Sequence, residues 1–156
     1  MKTKYVLYLL LWLLIMVILS SDSFSYYATR KDIKFLFFFF NPNVSMRTVL
    51  KFHEFLRKGL HVFNFAVLSW FVLCAKVRSF KPISKWSVST ALICILYCIL
   101  YSVFEEWRQS LSLTRTPRLL DIFLDTAGAV TIQMICGFVW WFTRRNDASR
   151  NPVQLG

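Results

Sequence analysis

Glu105 and Glu106 close one apolar run of this chain, and Asp121 and Asp125 open the next. Arg108, Arg115 and Arg118 lie between them. Earlier in the chain, "HEFLRKGLH" brings His53, Arg57, Lys58 and His61 to the start of another apolar run. These residue types suit two kinds of chemistry. Histidine and carboxylates can take and orient protons. Arginine forks match the oxygens of phosphate and carboxylate. Asp121 and Asp125 are four residues apart, so a helix puts them on one face. Each charge alone also has a structural reading. Asp121 suits a helix N-terminus, Thr116-Pro117 reads as a cap and first helical residue, and Arg115 and Arg118 can neutralise Glu105 and Glu106. His61 can equally be a histidine hydrogen-bonded inside a bundle.

The elements that must carry these residues are apolar blocks. The chain has 156 residues, 56% apolar and 18% aromatic, with sixteen Phe and four Gly. Tyr5–Leu19, Leu60–Ala75, Ser87–Phe104 and Leu119–Phe142 are nearly free of Lys, Arg and Glu. About 20 mostly apolar residues cross the hydrocarbon core. The pattern predicts an all-α integral membrane bundle of four transmembrane helices, at about 5–20, 58–76, 86–104 and 119–142. Residues 1–156 read as a single domain without repeats. The first block has a basic start like a signal peptide but no clear cleavage site, so an uncleaved anchor is expected. Ser21 to Arg57 reads as a long outer loop between helices one and two. Within it, Phe35–Phe40 is too short to span and ends at Asn41-Pro42, which suggests an interfacial or re-entrant element, with a buried strand as the alternative.

The net charge is +11. Basic residues flank the apolar blocks and form no separate patch, so a membrane explains them and nucleic acid is not expected as a partner. Lys2, Lys4, Lys76, Arg78, Lys81, Lys85, Arg144, Arg145 and Arg150 fall on one side, which predicts cytoplasmic N- and C-termini in a multi-pass cell-membrane protein. The unusual polar residues then gather near the outer face. Charges buried in lipid face the bundle interior and pair with one another, so acids and bases from several helices should neutralise each other in one outward-opening site. Cys74, Cys94, Cys98 and Cys136 lie inside apolar blocks without a C-x-x-C pair, which points to packing. No metal site and no cofactor are expected.

At these residues the chain resembles the VanZ-like family of bacterial membrane proteins. The match rests on "LSSDS" at 19–23, on Arg57, Lys58 and His61 as an R-K-x-x-H pattern, and on an ordered block of Glu105, Glu106, Gln109, Arg115, Asp121, Asp125, Gly128 and Ala129. It covers roughly residues 5 to 142. The chain departs from the family pattern at Arg108, where histidine is usual, and at Asn64-Phe65, where Glu-Tyr is usual. Only His61 then remains as a nitrogen ligand in the core motif. The resemblance implies reduced susceptibility to glycopeptide antibiotics, teicoplanin above all. Two mechanisms are expected to compete. In the first, Arg57, Lys58, Arg115 and Arg118, with Glu105 and Gln109, bind an anionic lipid, a lipid-linked cell-wall precursor or the lipoglycopeptide itself. In the second, an intramembrane enzyme uses His61 or Glu106 as base, with Asp121 or Asp125 orienting it. No Ser or Cys nucleophile stands in a recognisable motif.

Overall fold

The computed structural model describes residues 3–21, 26–112 and 118–150, with the side chains of 26–28, 30 and 147–150 excepted. Among the described residues five α-helices follow one another: α1 (Thr3–Leu19), α2 (Tyr26–Phe40), α3 (Met46–Val77), α4 (Val88–Ser110) and α5 (Leu119–Arg150), with a short 3₁₀ turn at Pro82–Lys85. No strand occurs among the described residues, so Phe35–Phe40 is helical and the strand alternative falls.

Three helices, α3, α4 and α5, are long and apolar enough to cross a membrane, and α1 is a shorter apolar helix of 17 residues. At 1.5 Å per residue α1 is about 26 Å long, short of a hydrocarbon core of about 30 Å. The expected long loop is corrected. Most of Ser21 to Arg57 is helix, and α3 begins at Met46, twelve residues before the apolar run suggested. The reason is local. Ser45 caps α3, its side chain accepting the Thr48 N–H, which fixes a helix start that hydropathy cannot see. Ser87 caps α4 in the same way through the Thr90 N–H.

Side-chain contacts fix the helix directions. Arg57–Asp121, His61–Asp125 and Ser69–Gln133 are each 64 residues apart. A constant offset means that α3 and α5 run parallel in one register. Helix α4 runs against both, through Phe65–Tyr101, Ser102–Asp125 and Trp86–Trp140. Helix α1 lies antiparallel to α3, with Tyr5 on Phe80 and the Trp12 indole donating to the Asn64 carbonyl. At Gly128 the two parallel helices nearly touch, since a Cβ there would stand 2.1 Å from the Val62 carbonyl oxygen. Only glycine fits that approach, and it brings the aspartate-bearing face of α5 onto α3. Leu68, Leu73, Cys94, Cys98, Ala129 and Cys136 form the apolar core below. All four cysteines are free and buried in it or beside it.

Candidate functional site

The end of α1, the middle of α3, the end of α4 and the start of α5 meet at one end of the bundle, and two polar clusters form there. The first ties α1 to α4. The Ser20 hydroxyl donates to Glu105 Oε2 at 2.6 Å, and the Tyr101 hydroxyl donates to Oε1 at 3.1 Å. Arg108 Nη2 donates to Glu105 Oε2 at 2.9 Å, to Ser20 Oγ at 2.6 Å and to the Ser20 carbonyl at 3.0 Å. Gln109 Nε2 donates to Ser20 Oγ at 3.2 Å. Arg108 thus satisfies a carbonyl just beyond the C-terminus of α1, where a cation also meets the helix dipole favourably.

The second cluster ties α3, α4 and α5 together. Asp125 is only 2% exposed. Its Oδ1 takes the His61 Nδ1–H at 2.9 Å, and its Oδ2 takes the Ser102 hydroxyl at 2.5 Å. Both carboxylate oxygens therefore accept from donors. His61 presents Nε2 on its other side, 4.0 Å from Asp121 Oδ2. That same oxygen accepts from Arg57 Nη2 at 3.3 Å. Such an aspartate fixes the ring orientation and tautomer of its histidine, leaving Nε2 without the proton.

Glu106 has a different task. Its Oε2 accepts the backbone N–H of Arg118 at 2.7 Å, immediately before α5. A carboxylate from α4 therefore caps α5 at its positive end, and Asp121 sits in that helix's first turn. Part of the charge that balances these carboxylates is therefore a helix terminus.

A cavity of about 260 Å³ lies between the two clusters and beneath α2. Met16, Ile33, Leu56 and Leu60 supply apolar wall, whereas Arg57, His61, Asn64, Glu105, Gln109 and Asp125 supply polar wall. Thr29 of α2 closes one side and pairs with His53 Nε2 of α3 at 3.0 Å.

Of the residues singled out in the sequence, Arg57, His61, Glu105, Gln109 and Asp125 line this cavity. Asp121 and Glu106 are buried beside it. Lys58 stands apart, because it pairs with Glu54 at 3.0 Å on the outer face of α3. Arg118 contributes its backbone N–H, with its side chain exposed. Arg115, Thr116 and Pro117 lie outside the described residues. Tyr101 and Ser102 were not singled out in the sequence, and Ser20 entered only within the "LSSDS" block at 19–23. Hydroxyls are ordinary in membrane helices, so the only signal for Ser102 and Tyr101 was their place one turn before Glu105 and Glu106. Among the described residues no group of three or more His, Cys, Asp or Glu side chains is placed to hold a metal ion.

Long apolar helices with a buried, internally paired charge cluster define a multi-pass helical membrane protein with a polar site inside its bundle. The family model described as VanZ/LLP1 matches residues 5–141, so the chain belongs to the VanZ/LLP1 family. Neither the comparison with curated proteins nor that with solved structures gave a match.

Proposed function

We propose that the cavity takes the polar head of an anionic membrane amphiphile, either an anionic lipid or a lipid-linked cell-wall precursor. In this reading the polar end faces outward, α1 is a fourth crossing, and both termini are cytoplasmic. Occupancy of the site alters access of glycopeptide antibiotics such as teicoplanin to the outer leaflet, and so lowers susceptibility. The observation that carries the proposal is Arg57. It lines the cavity beside Leu56 and Leu60, and among the described residues one of its N–H groups is used, on Asp121. The remaining guanidinium donors are available to phosphate or carboxylate oxygens, while Leu56, Leu60 and Ile33 receive the chain. Native mass spectrometry of protein purified with its lipids tests this. Wild type should retain an anionic species above its share of bulk lipid, and Arg57→Gln should lose it. Equal, bulk-like lipid on both would end the proposal.

A second reading rests on the Ser102–Asp125–His61 chain. With Nδ1–H held by Asp125, His61 Nε2 can take a proton from water or from a hydroxyl in the cavity, and Arg57 can steady developing negative charge. The protein would then be an intramembrane enzyme acting on a lipid or peptidoglycan precursor. Lipids and wall precursors from cells carrying wild type and His61→Gln separate the two. Identical profiles in cells that differ in teicoplanin tolerance favour binding over catalysis.

A further inference from the structure

Residues 26–58 carry seven bases, Arg30, Lys31, Lys34, Arg47, Lys51, Arg57 and Lys58, against two acids, Asp32 and Glu54. The cavity and an outer ion pair use two of the bases, Arg57 on Asp121 and Lys58 on Glu54. Lys31, Lys34, Arg47 and Lys51 are exposed, with no carboxylate within ion-pair distance among the described residues. Helix α2 arranges its part of this charge along its length. Lys31, Phe35 and Phe39 are spaced four apart and share a stripe, and Lys34 sits 5.8 Å from the ring of Phe38, one turn on. Phe35 is 73% exposed and Phe39 72%. The opposite face is already used, with Phe37 packed on Phe52 of α3 and Thr29 and Ile33 at the cavity.

From this we infer that α2 is a tilted membrane-surface helix whose lysine end binds the anionic headgroups of the leaflet at the polar end of the bundle. Its phenyl end lies in the acyl region. Water would charge heavily for two bare phenyl rings on one stripe, and lipid removes that cost. Lysines one turn away then reach up to the headgroup phosphates. Charge complementarity selects anionic lipid over zwitterionic lipid. The consequence is positional. The helix that gathers anionic headgroups is the same helix that walls the cavity, so α2 raises the local concentration of anionic amphiphiles at its mouth. This surface is independent of what the cavity holds.

The test uses the full chain in nanodiscs, with one nitroxide at a time on Lys31→Cys, Phe35→Cys or Phe39→Cys. The unsubstituted protein controls for the four buried native cysteines. Collision with an aqueous relaxation agent should fall from position 31 to 35 to 39. Spin-labelled phosphatidylglycerol should be preferred to phosphatidylcholine at the protein boundary. Lys31→Ala and Lys34→Ala should each cut that preference by roughly fivefold, the usual weight of one lysine at an anionic surface. Lys81→Ala, at the other end of the bundle, should leave the position gradient intact. Equal aqueous access at 31, 35 and 39 overturns the inference. So does an unchanged lipid preference in the Lys31→Ala/Lys34→Ala double variant. Dipolar broadening between labels at position 35 also overturns it, because a second copy would then cover the face.

Discussion

Arg57–Asp121, His61–Asp125 and Ser69–Gln133 are rungs of one ladder between α3 and α5, all with the same offset of 64 residues. The lower rung is neutral and closed. Gln133 Nε2 donates to Ser69 Oγ at 2.9 Å, and its Oε1 accepts the Trp86 indole N–H at 3.2 Å. Both ends of that amide are bonded to protein, among free cysteines and leucines. The upper rungs are charged and only half closed. Both oxygens of Asp125 accept, whereas among the described residues Arg57 makes one hydrogen bond, on Asp121, and His61 Nε2 stands 4.0 Å from Asp121 Oδ2. One backbone register thus carries two chemistries. A neutral amide suffices to hold two parallel helices in register, so holding them does not require the charges. The upper end retains ionisable groups at a high desolvation cost, and this difference supports the site proposed there.

The largest effect expected from this contrast is all-or-none. Ser84→Cys, at the lower end, should resist an impermeant thiol reagent added to intact cells, whereas Ser112→Cys, at the upper end, should react. The reverse pattern would put the cavity on the cytoplasmic side.

Next comes Asp125→Asn. Asparagine carries no charge and puts an amide donor at one of the two acceptor positions, so either the Ser102 hydroxyl turns to accept or His61 changes tautomer, and the charge-assisted pair is lost. Breaking a buried pair costs about 3–5 kcal/mol. Thermal unfolding in detergent should show that loss, and antibiotic tolerance should fall with it. Gln133→Leu sharpens the contrast. It strands the Trp86 indole N–H and takes the Gln133 donor away from the Ser69 hydroxyl and carbonyl, and should cost about 1–3 kcal/mol. Any Gln133→Leu protein that still folds should confer full tolerance, and a selective loss of tolerance would erase the distinction between the two ends. The smallest effect belongs to Lys58→Ala. Its exposed pair with Glu54 should contribute within about 0.5 kcal/mol, and tolerance should not change. A marked loss of tolerance would restore Lys58 to the site.

Much of this was legible in the sequence, for physical reasons that can be named. Lipid imposes long apolar runs, which exposed α3, α4 and α5, and the four-residue spacing put Asp121 and Asp125 on one face. The start of α3 was hidden because Arg47, Lys51 and Glu54 interrupt the apolar run, although Val49 and His53 of the same turns are buried. A serine cap carries that information instead. For the same reason Ser21 to Arg57 read as loop although most of it is helix. The partners of the carboxylates were hidden too. A serine on α4 bonding an aspartate on α5 depends on the mutual register of two helices, and no local pattern encodes it. Glu106 was legible as a buried acid, but its cap on α5 depends on where another helix begins.

In the proposed function, the cavity lined by Arg57 and His61 holds the polar head of a membrane amphiphile. The most direct measurement is an experimental structure of the full chain in native lipid, paired with one of Arg57→Gln. Elongated density should run from Arg57 and His61 outward between Leu56, Leu60 and Ile33, with its head within hydrogen-bond distance of the guanidinium, and it should vanish in the variant. A cavity holding only water in both structures, in cells where the wild type confers tolerance, would contradict the claim.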